Sequence, residues 1–418
     1  MTNKLNVLDK TRIGKPSEKG AGPLKEVAII GIGMHPWGKF EGKNLHELMM
    51  DATKTALKDA NMDWRDIQLI CAGEDPWGGV LGMLSGSQLQ RDMGWLGIPV
   101  FNSYAACATG GYALRTAQLN INAGICDIAL CVAGSISPKG AFGPTTIREF
   151  DPNDLDTQRF RILGYTNPTG WAFTATRRMH LYGTTMEDLA LVKVKNSKHG
   201  SLNPLARYRK VYTIDEVLNS PMVVHPLTLF QICATSDGAA AVIVCSLEKA
   251  RRYTNKPITI AGIGLGTPTY PDAEVYWFGQ DYSATEIPDI NARGKRAAAR
   301  AYEEAGLGPE DLSLAEVYDL ASIRELEWYE DIGLCKPGEA EKLLRDGSTS
   351  IGGRIPVNPS GGCSSFGEAI PAQALSQVCE LTWQLRGQTG QRQVENAKVG
   401  FSINAGKHGN ASAIIAKR

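Results

Sequence analysis

A chain of 418 residues, 43% hydrophobic and 21% charged, has enough apolar material for two or three layered domains. Its 44 basic residues balance 44 acidic ones and no Lys/Arg run occurs, which argues against a nucleic-acid surface. No apolar run approaches the roughly 18 residues that a membrane span needs. Nine cysteines without a CxxC pair form neither a disulfide framework nor a zinc site, and they point to a reducing cytoplasm. The histidines (35, 46, 180, 199, 225 and 408) show no ligand spacing.

Residues 1–24 are polar and read as a flexible arm rather than a signal peptide. Apolar runs predict a strand at 26–32, a helix at 45–60 and a strand at 67–72. The stretch Ile98–Gly124 then opens as a short strand and becomes a helix with apolar positions at Ala113, Leu114, Ala117 and Ile121. Cys107 sits at the joint. A thiol there feels the positive end of the helix dipole and free N–H groups, which favour the thiolate. Ala105, Ala106, Ala108, Gly110 and Gly111 leave room beside the sulfur for a substrate. An ordinary buried cysteine is the competing reading. A strand at 127–133 follows, then a loop-like stretch rich in Gly, Pro, Asp and Thr, then helices near 168–182 and 186–197.

Compared with itself, the chain shows a duplication. EVAIIGIG (26–33) resembles ITIAGIGLG (258–266), with Gly31 opposite Gly262. Residues 56–69 match 301–314, 98–111 match 355–368, and 236–246 match 407–417. Four matches in one order predict two alternating α/β halves related by a pseudo-twofold axis, with the two elbows meeting across one cleft. The offset falls from 257 residues at the third pair to 171 at the fourth, which marks an insertion in the first half at about 135–225. Loops on a rigid scaffold tend to carry binding function, so the insert is expected to shape a substrate site. The domain reading is an arm at 1–24, a first half at 25–250 and a second half at 255–418.

The stretches NSKHGSLNP (196–204), TSDGAAA (235–241), EVYD (316–319) and VNPSGG (357–362), with the Cys107 elbow, resemble the thiolase superfamily. The resemblance is to its sterol-carrier-protein-type thiolases and lipid-transfer-type thiolases and aldolases, and runs from about Glu26 to the C-terminus. It implies a five-layered α/β/α/β/α fold, a homodimer, and acyl-CoA with coenzyme A as substrates and no bound cofactor. It also implies a small OB-fold and zinc-ribbon partner as a separate polypeptide, since this chain has no such ligands.

By that resemblance Cys107 matches the nucleophile. Three family positions depart: Glu368 stands where a GHP histidine is expected, Tyr318 replaces the EVHD histidine, and SINAGKHGNAS (402–412) has His408 but no cysteine. Glu368 reads as a base toward Cys107 or as the orienting partner of another group, although a carboxylate beside a thiol raises the thiol pKa. Tyr318 reads as an oxyanion donor or proton shuttle. Asn358 is expected to position a water or the thioester oxygen, and Gly361, Gly362 and Gly409 to let backbone approach substrate. His199, His225 and Asp237 read as structural. The leading function is thiolase cleavage of a bulky or atypical 3-ketoacyl-CoA through a Cys107 acyl-enzyme. A retro-aldolase acting on a 3-hydroxyacyl-CoA, or an acyl-CoA-binding subunit inactive without its partner, are the alternatives.

Overall fold

The computed structural model describes residues 26–137, 166–268, 292–406 and 409–418. The arm at 1–24, the loop-like start of the insert and His408 lie outside these described residues.

The first half runs β1 (Val27–Gly38), α1 (Leu45–Asp59), β2 (Leu69–Gly73), α2 (Ser85–Met93), β3 (Val100–Ser103), α3 (Thr109–Asn122) and β4 (Ile128–Ser135). The insert adds α4 (Asn167–Tyr182), α5 (Met186–Ser201), α6 (Ile214–Leu218) and a hairpin of β5 (Met222–Val224) and β6 (Leu227–Thr228). β7 (Asp237–Ser246) completes that half. The second half contains β8 (Ile258–Gly266), α7 (Ala292–Ala305), β9 (Leu314–Val317), α8 (Ser322–Asp331), α9 (Ala340–Arg345), α10 (Gln373–Arg386), β10 (Val399–Ala405) and β11 (Ala411–Lys417).

Strand order is β3-β2-β4-β7-β1-β8-β11-β10-β9. The order is the same read outward from the centre in both directions, with β1 answering β8, β7 answering β11, β4 answering β10 and β2 answering β9. Val357, bridged in parallel to Ala315 of β9, stands where β3 stands in the first half. Among the described residues the strand ladder that joins the two half-sheets has only three residue pairs, Val27–Ile260, Ala28–Thr259 and Ile29–Ile258.

Side-chain alternation along the strands assigns the layers. Ala28, Ile30, Ala239, Ala241 and Ile243 face α1, whereas Val27, Ile29, Ala240, Val242 and Val244 share one core with α3 and α10. The outer face of the second half packs on α7 in a third core that includes Ala297, Ala301, Ile403 and Ile415. Helices α3 and α10 thus lie between the two half-sheets, with α1 and α7 outside, giving the five layers.

The duplication persists at single glycines. A Cβ on Gly31 would stand 2.4 Å from the carbonyl oxygen of Ala56, and one on Gly262 would stand 2.3 Å from that of Ala301. Each lets the outer helix lie directly on its strand. Helix ends follow the sequence: Asn44 and Glu47 form a capping box on α1, and Thr185 and Asp188 form one on α5. Gly183 closes α4 and Gly387 closes α10 in the left-handed conformation.

Candidate active site

Cys107 lies two residues before the first residue of α3 and is 7% exposed. The preceding Ala106 has φ 49°, a left-handed conformation that a residue with a Cβ seldom adopts. Thr109 holds this turn: its hydroxyl accepts the Ala105 N–H at 2.9 Å and donates to the Ala106 carbonyl at 2.5 Å. The small residues around it serve packing. A Cβ on Gly110 would come 2.7 Å from the backbone nitrogen of Leu375 in α10, and one on Gly111 2.3 Å from Ser412 in β11. The two glycines make room for the second half, not for a substrate.

The second half supplies the groups that face the sulfur. Glu368 is fully buried, and its Oε1 lies 3.7 Å from Cys107 Sγ. The same oxygen accepts a short hydrogen bond from the Tyr318 hydroxyl. Cys233 Sγ lies 3.9 Å from Glu368 Oε2. Ala106, Cys363 and Ile370 complete this cluster, against which Trp171 of α4, Ile232 and Leu320 pack. The insert therefore contributes a wall of the site.

Burial dominates the electrostatics. It raises Glu368 to about 7, and hydrogen bonds from Tyr318, Cys107 and Cys233 act against it. Burial, and next the Glu368 charge, push the Cys107 thiol well above its ordinary range, while a hydrogen bond from Tyr318 pulls it back. The resting pair is a neutral thiol beside a carboxyl group that is half ionised near neutral pH.

Below the cluster, the NSKHGSLNP stretch clamps the 357–366 loop. His199 is buried, lowered to about 3 by desolvation, and donates from Nδ1 to the Asn358 carbonyl at 2.9 Å while Nε2 accepts the Ile351 N–H at 3.1 Å. Asn203 donates to the Ser360 carbonyl at 3.0 Å, and Lys193 to the Ser364 carbonyl at 2.6 Å. Gly361 (φ 112°) has no room for a Cβ, which would meet Gly200 Cα at 2.6 Å. Gly362 (φ 61°) lies against the Asp319 carboxylate. Asn358 is committed at both ends: its Oδ1 accepts the Val317 N–H at 2.8 Å and its Nδ2 donates to Glu325 Oε2 at 2.8 Å. Asn358, Gly361 and Gly362 are thus scaffold under the site. Gly409 (φ 84°) lies in the turn between β10 and β11. There Gly406 packs on the Ala105 carbonyl, and Tyr112 donates to Asn410 at 3.5 Å.

A buried polar network extends this scaffold. Lys195 pairs with Glu325 at 2.5 Å, Tyr329 donates to the same carboxylate at 2.5 Å, and Asn196 joins Glu325 to Asp319. Asp237 pairs with Lys39 at 2.7 Å and accepts the N–H groups of Phe40 and Ser137, tying β7 to the ends of β1 and β4. His225 precedes cis-Pro226 in the β5–β6 hairpin. All nine cysteines are free. Among the described residues no group of His, Cys, Asp and Glu could hold a metal, and no helix is long and apolar enough to cross a membrane.

Residue type alone does not set Cys233 and Cys363 apart from core thiols. Cys233 lies two residues before TSDGAAA and Cys363 directly after VNPSGG, so a cysteine flanking such a motif is the available signal.

A family described as "Thiolase C-terminal domain-like" matches residues 280–416, and one described as "Stage V sporulation protein AD (SpoVAD)" matches residues 1–139. The chain is 34% identical to an acetyl-CoA acetyltransferase of Methanothermobacter thermautotrophicus, over 94% of this chain and 99% of that protein. It is 34% identical to benzoylsuccinyl-CoA thiolase subunit BbsB of Thauera aromatica, over 89% and 92%. Sterol carrier protein 2 of Homo sapiens is 32% identical over 92% of this chain and 70% of that one. Among solved structures, the Ltp2-ChsH2(DUF35) aldolase superposes with TM-score 0.79 at 26% identity, covering 94% of this chain and 98% of that one. Human mitochondrial 3-ketoacyl-CoA thiolase superposes with TM-score 0.72 at 14% identity, over 95% and 99%, and shares the fold. The chain belongs to the thiolase superfamily, as an enzyme of its sterol-carrier-protein-type branch.

Proposed function

We propose that this enzyme is an acyl-CoA C-acyltransferase that cleaves a 3-ketoacyl-CoA with free CoA through an acyl-enzyme on Cys107. The observation that carries it is the pairing of Cys107, on its left-handed turn, with a buried carboxyl oxygen 3.7 Å away. Glu368 stands where relatives are expected to use histidine, and with a pKa of about 7 it has the driving force of one. Because the thiol is held protonated, sulfur attacks as Glu368 takes its proton. Tyr318 donates to the same carboxyl oxygen that faces Cys107 and favours its ionised form. His408, opposite the C-terminal catalytic region of the family, remains a catalytic candidate, and Gly409 a candidate for close backbone approach to the substrate or its oxyanion.

Intact-mass analysis after exposure to 3-ketoacyl-CoA esters tests this reading. A mass gain equal to the acyl group is expected on the wild type, absent in Cys107→Ala and slowed about 100-fold in Glu368→Gln. Acyl cleavage at full rate by Cys107→Ser would exclude it.

The aldolase reading is supported by the Tyr318–Glu368 pair, which is an acid/base unit able to work without a covalent intermediate, and by the likeness to the Ltp2-ChsH2(DUF35) aldolase. Products released without added CoA would favour it. A partner protein of the OB-fold and zinc-ribbon kind belongs to either reading, and its co-purification is the test.

A homodimer completes the proposal. Among the described residues β3 is an edge strand paired only with β2, and Phe101 on it and Tyr104 just past its end leave apolar rings exposed, an arrangement that invites a second copy. Phe101→Asp is expected to give a monomer in light scattering.

A further inference from the structure

Glu368 is flanked by two thiols. Its Oε1 faces Cys107 at 3.7 Å and its Oε2 faces Cys233 at 3.9 Å. Exposure separates the groups: Cys107 and Cys233 are 7% and 8% exposed, Tyr318 is 2% and Glu368 is 0%. Of these reactive groups the two cysteines are the residues nearest the surface, and the carboxyl group is sealed beneath them.

Cys233 is held there by backbone. Its N–H donates to the Leu320 carbonyl at 2.9 Å, the Ala234 N–H donates to the Cys363 carbonyl at 3.0 Å, and the Ala234 carbonyl accepts the Glu368 N–H at 2.9 Å. The segment is stapled between the loop after β9 and the residue that carries the carboxyl. Ketoacyl cleavage needs one proton removed from Cys107 and one delivered to the departing carbon. Glu368 is placed for the first transfer and shielded from the second.

Resting on the thiolase reading above, we infer that Cys233 is a second catalytic residue, the acid that protonates the departing carbon. Cys107 passes its proton to Glu368 as its sulfur bonds to the C3 carbonyl carbon. The tetrahedral adduct collapses, the C2–C3 bond breaks, and its electron pair stays on C2 as the enolate of the shortened CoA ester. The Cys233 thiol gives its proton to C2, and the thiolate left behind takes the proton held by Glu368. A half-turn of the carboxyl group presents that proton on the Cys233 side. Cys107 ends acylated, and Glu368 and Cys233 end as they began. Burial and the Glu368 charge keep Cys233 protonated far above its ordinary range, as a proton donor requires.

The probe is acetoacetyl-CoA for acylation and acetyl-CoA in D2O for exchange of its methyl hydrogens. Wild type is expected to become acetylated on Cys107 and to exchange. Cys233→Ala and Cys233→Ser are expected to acetylate on Cys107, which also shows that they fold, yet to lose exchange by about 100-fold or more. Exchange within a few-fold of wild type in either acetylated variant overturns the inference. Failure of both variants to acetylate assigns Cys233 to the first step and overturns it as well. A wild type that no 3-ketoacyl-CoA ester acylates, acetoacetyl-CoA and bulkier ones alike, removes the thiolase reading itself, and this inference with it.

Discussion

The Tyr318 hydroxyl donates to the same Glu368 oxygen that faces Cys107, so one carboxyl oxygen serves both the phenol and the nucleophile. The phenol stabilises the charged form of Glu368 against burial. Tyr318→Phe removes that hydrogen bond and is expected to move the pH midpoint of Cys107 acylation upward from about 7, with the alkaline limiting rate largely kept. Acylation rates measured from pH 5 to 9 check this. An unmoved midpoint would mean that Tyr318 does not tune the base.

Gly110 offers a test of what the small residues do. Gly110→Ala places a methyl group 2.7 Å from the backbone nitrogen of Leu375, an atom that moves only with α10. Stability should fall by about 1–3 kcal/mol in denaturant titration. Were the glycine there to admit substrate, KM would rise and stability would hold.

The Lys195–Glu325 pair is buried, at 3% and 0% side-chain exposure. Glu325→Gln leaves the lysine charge without its counterion, at an expected cost of about 3 kcal/mol. The double variant Lys195→Met with Glu325→Gln should recover a good part of that loss. Urea unfolding of the three proteins decides it.

Stability should also fall as pH rises from 6.5 to 8.5. Glu368 is raised to about 7, and Glu316 and Asp319 to about 8, chiefly by burial. The folded chain therefore holds protons in this window that the unfolded chain, with ordinary carboxyl pKa values, has already released. The stabilisation is complete below the ordinary carboxyl range and gone above the folded values. His199, lowered to about 3, acts below about its ordinary 6.5, and Lys193, lowered to about 8 by desolvation, opposes the trend only at the top of the window, so three carboxyl groups outweigh it. A thermal midpoint higher at pH 6.5 than at 8.5, with a smaller difference in Glu316→Gln, is the expected result.

Much of this was readable in the sequence because burial leaves a period. The helix read at 45–60 is Leu45–Asp59, and the strand read at 127–133 is Ile128–Ser135. β1 runs past the strand read at 26–32 to Gly38, since His35 to Gly38 pair with β7 across an irregular step that apolar runs do not report. The repeat placed the Cys107 elbow opposite 355–368, and those segments do meet, at Glu368. What the sequence withheld is direction. Asn358 had the right type for substrate binding and turns out to be spent on Val317 and Glu325. Cys233 looked like any core thiol, and only the fold sets it beside Glu368. Gly110 and Gly111 were read as space for a ligand because a single sequence does not say which neighbour fills the gap.

The seam between the half-sheets has one more consequence. The nucleophile comes from the first half, its carboxyl and phenol partners from the second, and the strand ladder joining the half-sheets has only three residue pairs among the described residues. Helices α3 and α10 each lie against strands of both halves, so docking the duplicates is also what assembles the site. Cys107 acylation is accordingly a gauge of that docking. A variant whose halves separate by even a small angle would lose chemistry while its far-ultraviolet spectrum still looked native.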